Sequence, residues 1–171
     1  LGNSVSSGAH HSFAVIGLGT MGLMHMLSMH GLPIGYDLSL KRLEWAKQLG
    51  LNVMHAAESS PADIVFVCPG SEQAINDAIA MANPGGTVVL FAPTPPGKPE
   101  IDLNTAYFKD LTLVSSYSCG PSDTAVAADW IRKGVVKAEQ VVSDFLEIDD
   151  LPKAYQAMKS GDILKAMVTF R

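Results

Sequence analysis

An α/β architecture is predicted for this sequence: a doubly wound, six-stranded parallel sheet with helices on both faces. Short apolar runs alternate with longer amphipathic stretches, which is the rhythm of βαβ units. The strongest runs are almost entirely apolar, as expected for strands that are buried on both faces. Hydrophobic residues make up 47% of the 171 residues, enough for a core of this size. Right-handed crossovers then give the strand order 3-2-1-4-5-6.

The elements of the first half each have a local sequence signal. Residues 63–68 (DIVFVC) are the strongest strand signal in the chain, because the run is apolar after its first residue. Ser39 can cap the second helix through its hydroxyl, and Gly50 can end it. The predicted strands are residues 13–16, 33–36, 52–55 and 63–68, and the predicted helices are residues 20–30 and 39–49.

The second half continues this rhythm as far as residue 133 and then departs from it. The segment Asn83-Pro84-Gly85-Gly86 is expected to separate a helix from the fifth strand, because Pro and Gly interrupt both kinds of element. A Pro/Gly-rich loop is expected at residues 93–99. The further predictions are helices at 71–81, 121–133 and 151–158, strands at 87–91, 111–116 and 166–170, and a strand-like run at 141–148.

A glycine-rich turn lies between the first predicted strand and the first predicted helix. Gly17, Gly19 and Gly22 form the pattern GxGxxG in the strand–turn–helix context that the motif requires. The first glycine allows a tight turn, the second leaves room for a pyrophosphate, and the third lets the helix pack close to the sheet. Thr20 and Met21 open the helix, whose free N–H groups and dipole would face the phosphates. The motif predicts a Rossmann-type dinucleotide-binding unit.

An acidic residue follows the second predicted strand. Asp37 lies 20 positions after Gly17, where a carboxylate can accept hydrogen bonds from both hydroxyls of an adenosine ribose and would repel a 2′-phosphate. Leu38 follows it and is predicted to contact the cofactor as well. Arg42, one helical turn further on, is the residue that could meet a 2′-phosphate. We therefore predict NAD(H), with NADP(H) as the alternative that Arg42 leaves open.

Two other strand ends are expected to shape the cofactor pocket, because ligands of open α/β sheets bind beyond the carboxyl ends of the strands. Their backbone groups are expected to contact the second ribose and the nicotinamide amide. The predicted contacts are Cys68, Pro69 and Gly70 after the fourth strand and Phe91, Ala92 and Pro93 after the fifth. No residue is predicted to be catalytic or to bind a metal.

Composition excludes several classes of function. The net charge is −5 and no long basic run is present, so neither nucleic acid nor an anionic membrane surface is an expected partner. Two cysteines without a CxxC pair predict no disulfide framework and no structural zinc, and a reducing, cytoplasmic setting is expected. The chain has no signal-peptide pattern and no run of about 18 apolar residues that could span a membrane.

Several other sequence motifs accompany the glycine turn, in a fixed order along the chain. VIGLGTMG from Val15 and DLS from Asp37 are followed by DIVFV from Asp63, PGS from Pro69, NPGGTVV from Asn83 and KAMV from Lys165. In this order they resemble the cofactor-binding domain of the medium-chain dehydrogenases/reductases, the zinc-type alcohol, sorbitol and threonine dehydrogenases. The resemblance covers roughly residues 13–171. It implies hydride transfer between a nicotinamide and an alcohol or polyol carbon, with zinc polarising the oxygen.

The resemblance also implies that parts of such an enzyme are absent here. The family's zinc ligands, including a GHE motif, precede this region, and neither they nor its four-cysteine zinc cluster occur in the sequence. The chain is therefore expected to be the cofactor-binding part of a longer enzyme, whether a cloned domain, a proteolytic fragment or a natural truncation, with little activity alone. Its parts would be a leader or linker (1–12), a dinucleotide-binding domain (13–140) and a segment that packs on the catalytic domain (141–171). The family's mode of dimerisation implies a homodimer through Leu111 to Ser116.

Two other functions fit the same residues. A stand-alone NAD-sensing or regulatory module would use the same contacts, and an upstream half with a GHE motif would contradict it. A methyltransferase that binds S-adenosylmethionine on a related sheet also needs an acid for the ribose at a strand end. Gly22 and the close helix packing that it implies favour a dinucleotide.

Overall fold

A parallel sheet of six strands forms the centre of the computed structural model, which describes residues 11–30 and 32–170. The strands are β1 (Phe13–Ile16), β2 (Ile34–Asp37), β3 (Val53–His55), β4 (Ala62–Val67), β5 (Ala82–Leu90) and β6 (Thr112–Ser115). Their order in space is β3-β2-β1-β4-β5-β6, which confirms the predicted topology. Residues 1–10 of the predicted leader lie outside the described residues.

Seven α-helices connect or follow these strands within the described ranges. They are α1 (Thr20–Ser28), α2 (Leu40–Gln48), α3 (Glu72–Met81), α4 (Leu103–Phe108), α5 (Pro121–Arg132), α6 (Ala138–Val141) and α7 (Leu151–Ser160). Ser39 caps α2 as predicted, since its hydroxyl accepts the N–H of Arg42. The first helix ends before the predicted His30, which has a left-handed backbone with φ of 53°. Helix α4 was not predicted, although Asp102 caps it through the N–H of Thr105.

The helices cover the sheet on both faces and bury two apolar layers. On one face Leu23 and Met26 of α1 pack with Val15, and Leu43 of α2 joins the same cluster. On the other face, Ile75 and Ile79 of α3 and Ala106 of α4 pack against Val65, Val67 and Val88. The doubly wound arrangement therefore follows from apolar faces on helices of both layers.

The start of β5 differs from the prediction. The sequence places the strand at 87–91, whereas β5 begins at Ala82 and includes the expected breaker residues. The register shifts there, because Ala62 pairs with Ala82 but Ile64 pairs with Thr87. Gly85 takes a left-handed φ of 77° inside this irregular stretch. The Pro/Gly segment thus forms a bulge within the strand instead of a turn before it.

Lys109, the residue that follows α4, caps the carboxyl end of α3. Its Nζ donates hydrogen bonds to the carbonyl oxygens of Ile79 at 3.2 Å, Ala80 at 2.6 Å and Ala82 at 2.9 Å. These carbonyls lie at the carboxyl end of α3, where the helix dipole favours a cation. One ammonium group therefore satisfies three acceptors and ties α3 to the chain that enters β6.

The C-terminal part forms a small unit of its own. Strands β7 (Asp144–Leu146) and β8 (Ala166–Val168) make a separate two-stranded parallel sheet, with α7 between them in sequence. The predicted strand-like run at 141–148 is wrong at its start, because Val141 ends α6. Val141 and Val142 are buried in the cluster of Leu23 and Leu43, which explains their apolar character without a strand. The division at residue 140 stays a prediction.

Candidate dinucleotide-binding site

The three glycines of the turn differ in what surrounds them. Gly17 has a φ of 87°, and a Cβ there would lie 2.6 Å from Cγ of Pro69. A Cβ at Gly22 would lie 1.9 Å from the carbonyl oxygen of Gly17, so the chain itself excludes any side chain at this position. Gly19 has an ordinary φ of −71° and no atom within 4 Å of a Cβ placed there. The space beside Gly19 is open to a ligand.

Helix α1 begins directly at this open space. Gly19 is its N-cap residue, it contributes no side-chain hydrogen bond, and the first turn contains no acidic side chain. The N–H groups of Thr20 and Met21 therefore have no side-chain acceptor. Such an N-terminus combines free donors with the positive end of the helix dipole, which is the arrangement that binds phosphate groups.

Asp37 joins the glycine turn to the start of α2. Its Oδ2 accepts the N–H of Leu18 at 2.7 Å, and its Oδ1 accepts the N–H of Ser39 at 2.8 Å. An Arg42 guanidinium nitrogen lies 3.6 Å from Oδ2, and the carboxylate side chain is only 7% exposed. A carboxylate has about four lone-pair positions, so these contacts leave capacity for a hydroxyl donor.

A cavity of about 220 Å³ lies beside Gly17 and Asp37. The structure gathers five of the predicted residues around it: Gly17, Asp37, Leu38, Arg42 and Pro69. The sequence analysis missed Ala56, which follows β3, and Gln73, Ala74 and Asp77 of α3, which line the same cavity. Parallel topology brings the start of α3 beside the ends of β1 and β2, and that signal was available in the predicted strand order.

The residues predicted after β5 lie elsewhere. Phe91, Ala92 and Pro93 line a different cavity of about 570 Å³, together with Leu113 and Tyr117 near the end of β6. Neither this cavity nor the first is lined by the remaining predicted residues Gly19, Thr20, Met21, Gly22, Cys68 and Gly70. The predicted contacts are thus distributed along the carboxyl edge of the sheet and do not form one pocket.

The turns after β4 and β5 approach each other closely. A Cβ at Gly70 would lie 2.2 Å from the carbonyl oxygen of Pro93, so a glycine is required there. Burial raises the pKa of the Cys68 thiol to about 12, which keeps the sulfur protonated at neutral pH and makes it a poor nucleophile. Cys68 therefore serves as an apolar wall of the carboxyl edge.

His25 of α1 packs beside this edge. Its ring lies 4.3 Å from that of Phe91 and 5.3 Å from that of Phe66, measured between centroids. Its Nε2 is buried without a hydrogen-bond partner among the described residues. Burial lowers the pKa of the imidazole, because the charged form would lose its hydration, so the ring is neutral at pH 7.

The edge of the sheet formed by β6 is exposed, and so is the helix that follows it. Strand β6 pairs only with β5 in the described sheet, and all four of its residues are exposed. Helix α5, which follows β6, buries none of its residues. Homodimerisation through Leu111 to Ser116 stays a prediction.

A metal-binding cluster and a membrane-spanning helix are both absent from the described ranges. Residues 11–30 and 32–170 contain no group of three His, Cys, Asp or Glu side chains arranged to hold a metal ion. None of the helices in those ranges has the length and apolarity needed to cross a membrane.

Comparison with known proteins places this geometry in context. A family model described as "Zinc-binding dehydrogenase" matches residues 16–133. The sorbitol dehydrogenase of Halalkalibacterium halodurans is 28% identical over an alignment of 178 positions, gaps included, which covers 91% of this chain and 50% of that enzyme. The chain spans about half the length, or less, of the curated relatives it matches.

Two solved structures share the fold and were determined with a dinucleotide bound. A short chain alcohol dehydrogenase of E. coli CFT073 in complex with NADH superposes with a TM-score of 0.77 at 20% identity, covering 94% of this chain and 52% of that one. A Sinorhizobium meliloti 1021 protein described as a zinc-binding dehydrogenase and bound to NADP has a TM-score of 0.74 at 21% identity, covering 85% and 48%.

Proposed function

Because the chain belongs to the zinc-binding dehydrogenase family, we propose that it is the NAD(H)-binding domain of an alcohol or polyol dehydrogenase. Gly19 is the observation that carries this proposal. Packing within the chain accounts for Gly17 and Gly22, but nothing in the described structure prevents a side chain at Gly19. A ligand that approaches the backbone closely accounts for a glycine there, and a pyrophosphate at the start of α1 is such a ligand.

The residues fit a dinucleotide from the pyrophosphate to the adenosine. The uncapped N–H groups of α1 would hold the pyrophosphate, and Asp37 would accept hydrogen bonds from the ribose hydroxyls. Leu38 and Ala56 provide an apolar wall for the base. When bound, the nicotinamide would exchange a hydride with the alcohol carbon. The chain's own part is to hold the cofactor in place and to exclude water from its apolar surfaces.

Asp37 also supports NAD(H) over NADP(H). A 2′-phosphate would have to approach a nearly buried carboxylate, and that repulsion would oppose binding. Arg42 acts in the opposite sense, because its guanidinium lies beside the same carboxylate and would attract a phosphate. A direct titration with NADH and NADPH determines which of the two cofactors binds more tightly.

The described residues do not provide a zinc site, so no step of the proposal passes through a metal held by this chain. We propose that the alcohol and the zinc are bound by a catalytic domain, on which the exposed residues of the segment 141–171 pack, since Val141 and Val142 are already buried against α1 and α2. The exposed surfaces of α5 and β6 support the proposal that other protein surfaces, including a second copy at β6, cover this side.

The test is calorimetric titration of the purified chain with NADH, NADPH and S-adenosylmethionine. We expect saturable NADH binding, weaker NADPH binding and no binding of S-adenosylmethionine. Asp37→Ala should weaken NADH binding by about tenfold, because it removes hydrogen bonds to a charged acceptor. Asp129→Ala is the matched control, because this carboxylate lies on α5 and pairs with Lys133.

Each result bears on the proposal. Absence of binding by all three ligands would contradict it, and binding of S-adenosylmethionine alone would favour a methyltransferase. Tighter binding of NADPH than of NADH would correct the cofactor preference and leave the domain assignment in place.

A further inference from the structure

A second cavity adjoins the one at Asp37. It has a volume of about 450 Å³ and lies between α3 and the segment 56–61 that follows β3, beside the ends of β1 and β2. The residues that line both cavities are Ile16, Tyr36, Leu38, Ala56 and Asp77. A group that extends past a ribose at Asp37 would therefore enter a region bordered by these five residues.

Three of the five shared residues are apolar and suit the face of a flat aromatic ring. They are Ile16, Leu38 and Ala56, whereas the ring of Tyr36 is almost fully buried. The Tyr36 hydroxyl is already hydrogen-bonded to Oγ of Ser60 at 2.9 Å. Asp77 is therefore the polar group among the five that remains available to a ligand.

One oxygen of Asp77 is engaged within its own helix. Oδ1 accepts a hydrogen bond from Nε2 of Gln73, one turn earlier in α3, at 2.7 Å. This bond fixes the carboxylate on the helix face that borders both cavities. Oδ2 makes no hydrogen bond or ion pair with any other described residue, so it can accept a donor from a ligand.

We infer, resting on the proposed function, that Asp77 selects the adenine base of the dinucleotide by accepting a hydrogen bond from its 6-amino group. Adenine presents an amino donor at this position, whereas hypoxanthine presents a carbonyl acceptor in its place. A carboxylate attracts the first group and repels the second. The apolar residues bind the faces of either base alike, and Asp77 supplies the discrimination.

The experiment compares NADH with reduced nicotinamide hypoxanthine dinucleotide, whose base has a 6-carbonyl and a protonated N1 in place of the 6-amino group and unprotonated N1 of adenine. Dissociation constants are measured by calorimetry for the natural chain, Asp77→Ala and Asp77→Asn. We expect the natural chain to prefer NADH by about fivefold to tenfold, a modest factor because Asp77 is exposed. Asp77→Ala should weaken NADH binding, and it should leave binding of the hypoxanthine analogue unchanged or make it tighter, because the variant lacks the carboxylate that repels the carbonyl.

Asp77→Asn should narrow or reverse the preference, because its amide can donate a hydrogen bond to the carbonyl of hypoxanthine. This outcome would not follow from a structural role for Asp77. Glu72→Ala is the control, because Glu72 lies in the same helix, is exposed and borders neither cavity. It should change neither dissociation constant.

Equal binding of the two dinucleotides by the natural chain would overturn the inference while leaving the proposed function intact. So would an equal loss of both ligands in Asp77→Ala. If the natural chain bound neither dinucleotide, the proposed function would fail and the inference with it. The comparison of ligands on the natural chain needs no variant, so it is decisive even if a substitution prevents folding.

Discussion

Helices α1 and α3 begin at the same edge of the sheet, but their first turns are built differently. Helix α3 starts at Ser71, whose hydroxyl accepts the N–H of Ala74, and carries Glu72 in its first turn. Helix α1 starts at Gly19 and has neither a side-chain cap nor an acidic residue in its first turn. Helix α3 satisfies one of its N-terminal N–H groups with a side chain of its own, and α1 satisfies none of them in this way.

This difference separates residues that serve the fold from those that serve a ligand. A Ser cap stabilises a helix by a few tenths of a kcal/mol more than Gly does, so α1 gives up a small amount of stability. The side chains available to α3 would compete with an anion for the same N–H groups. The uncapped start of α1, beside the open space at Gly19, is therefore suited to bind an anion, whereas the Ser71 cap serves the stability of α3.

The largest effect on the free energy of unfolding is expected for Gly22→Ala, which would displace α1 from the glycine turn. The added Cβ would lie 1.9 Å from the carbonyl oxygen of Gly17, so the helix or the turn must move. We expect a loss of about 3 kcal/mol or more in the free energy of unfolding, measured by urea denaturation. Gly19→Ala is the control, since its Cβ meets open space, and a small loss in Gly22→Ala would contradict the packing argument.

Gly19→Ser gives α1 the kind of cap that α3 has. We expect the free energy of unfolding to stay the same or to rise by a few tenths of a kcal/mol, because the new hydroxyl can accept an N–H of the first turn. NADH affinity should fall by about tenfold, since the side chain occupies the approach of the pyrophosphate and competes for its donors. Calorimetry and urea denaturation of the same preparation measure both quantities. Unchanged affinity would remove Gly19 as support for the cofactor proposal.

The smallest effect concerns His25, a buried titratable group in α1. Burial lowers its pKa in the folded state, while the unfolded chain has the ordinary value of 6.5. Between the two pKa values the unfolded state binds more protons than the folded state. The full free energy of unfolding is therefore present above pH 6.5, and it declines as the pH falls toward the folded-state pKa. His25→Leu should flatten this decline in urea midpoints between pH 7.5 and pH 5.5. Parallel pH profiles for the two chains would show that His25 does not contribute.

The sequence alone was sufficient to predict those features of the fold that a single local pattern determines. Gly17 and Gly22 could be placed in the turn and at the helix contact, because a side chain is excluded at both positions. Asp37 could be placed beside that turn, because it ends the second strand. The strand order followed from the alternation of strands and helices and the handedness of their connections.

The remaining features depend on contacts between distant segments. Asp77 borders the cavity because α3 lies beside the ends of β1 and β2, and no short motif in the sequence marks the residue itself. Val141 and Val142 have the composition of a strand, but they are buried against α1 and α2. Helix α4 has only six residues, and the single sequence signal for it is the cap at Asp102. In each case tertiary contacts overrode or replaced the local pattern.

The double engagement of Asp37 constrains how cofactor preference could change during evolution. Its carboxylate accepts the N–H groups of Leu18 and Ser39, so a substitution that removes it leaves two donors without their acceptor. Leu38 borders the same cavity with a largely exposed hydrocarbon side chain, which has no hydrogen bond to lose. A lineage that acquires a new dinucleotide thus has an easier mutational route through position 38, while position 37 stays fixed by the turn that it supports.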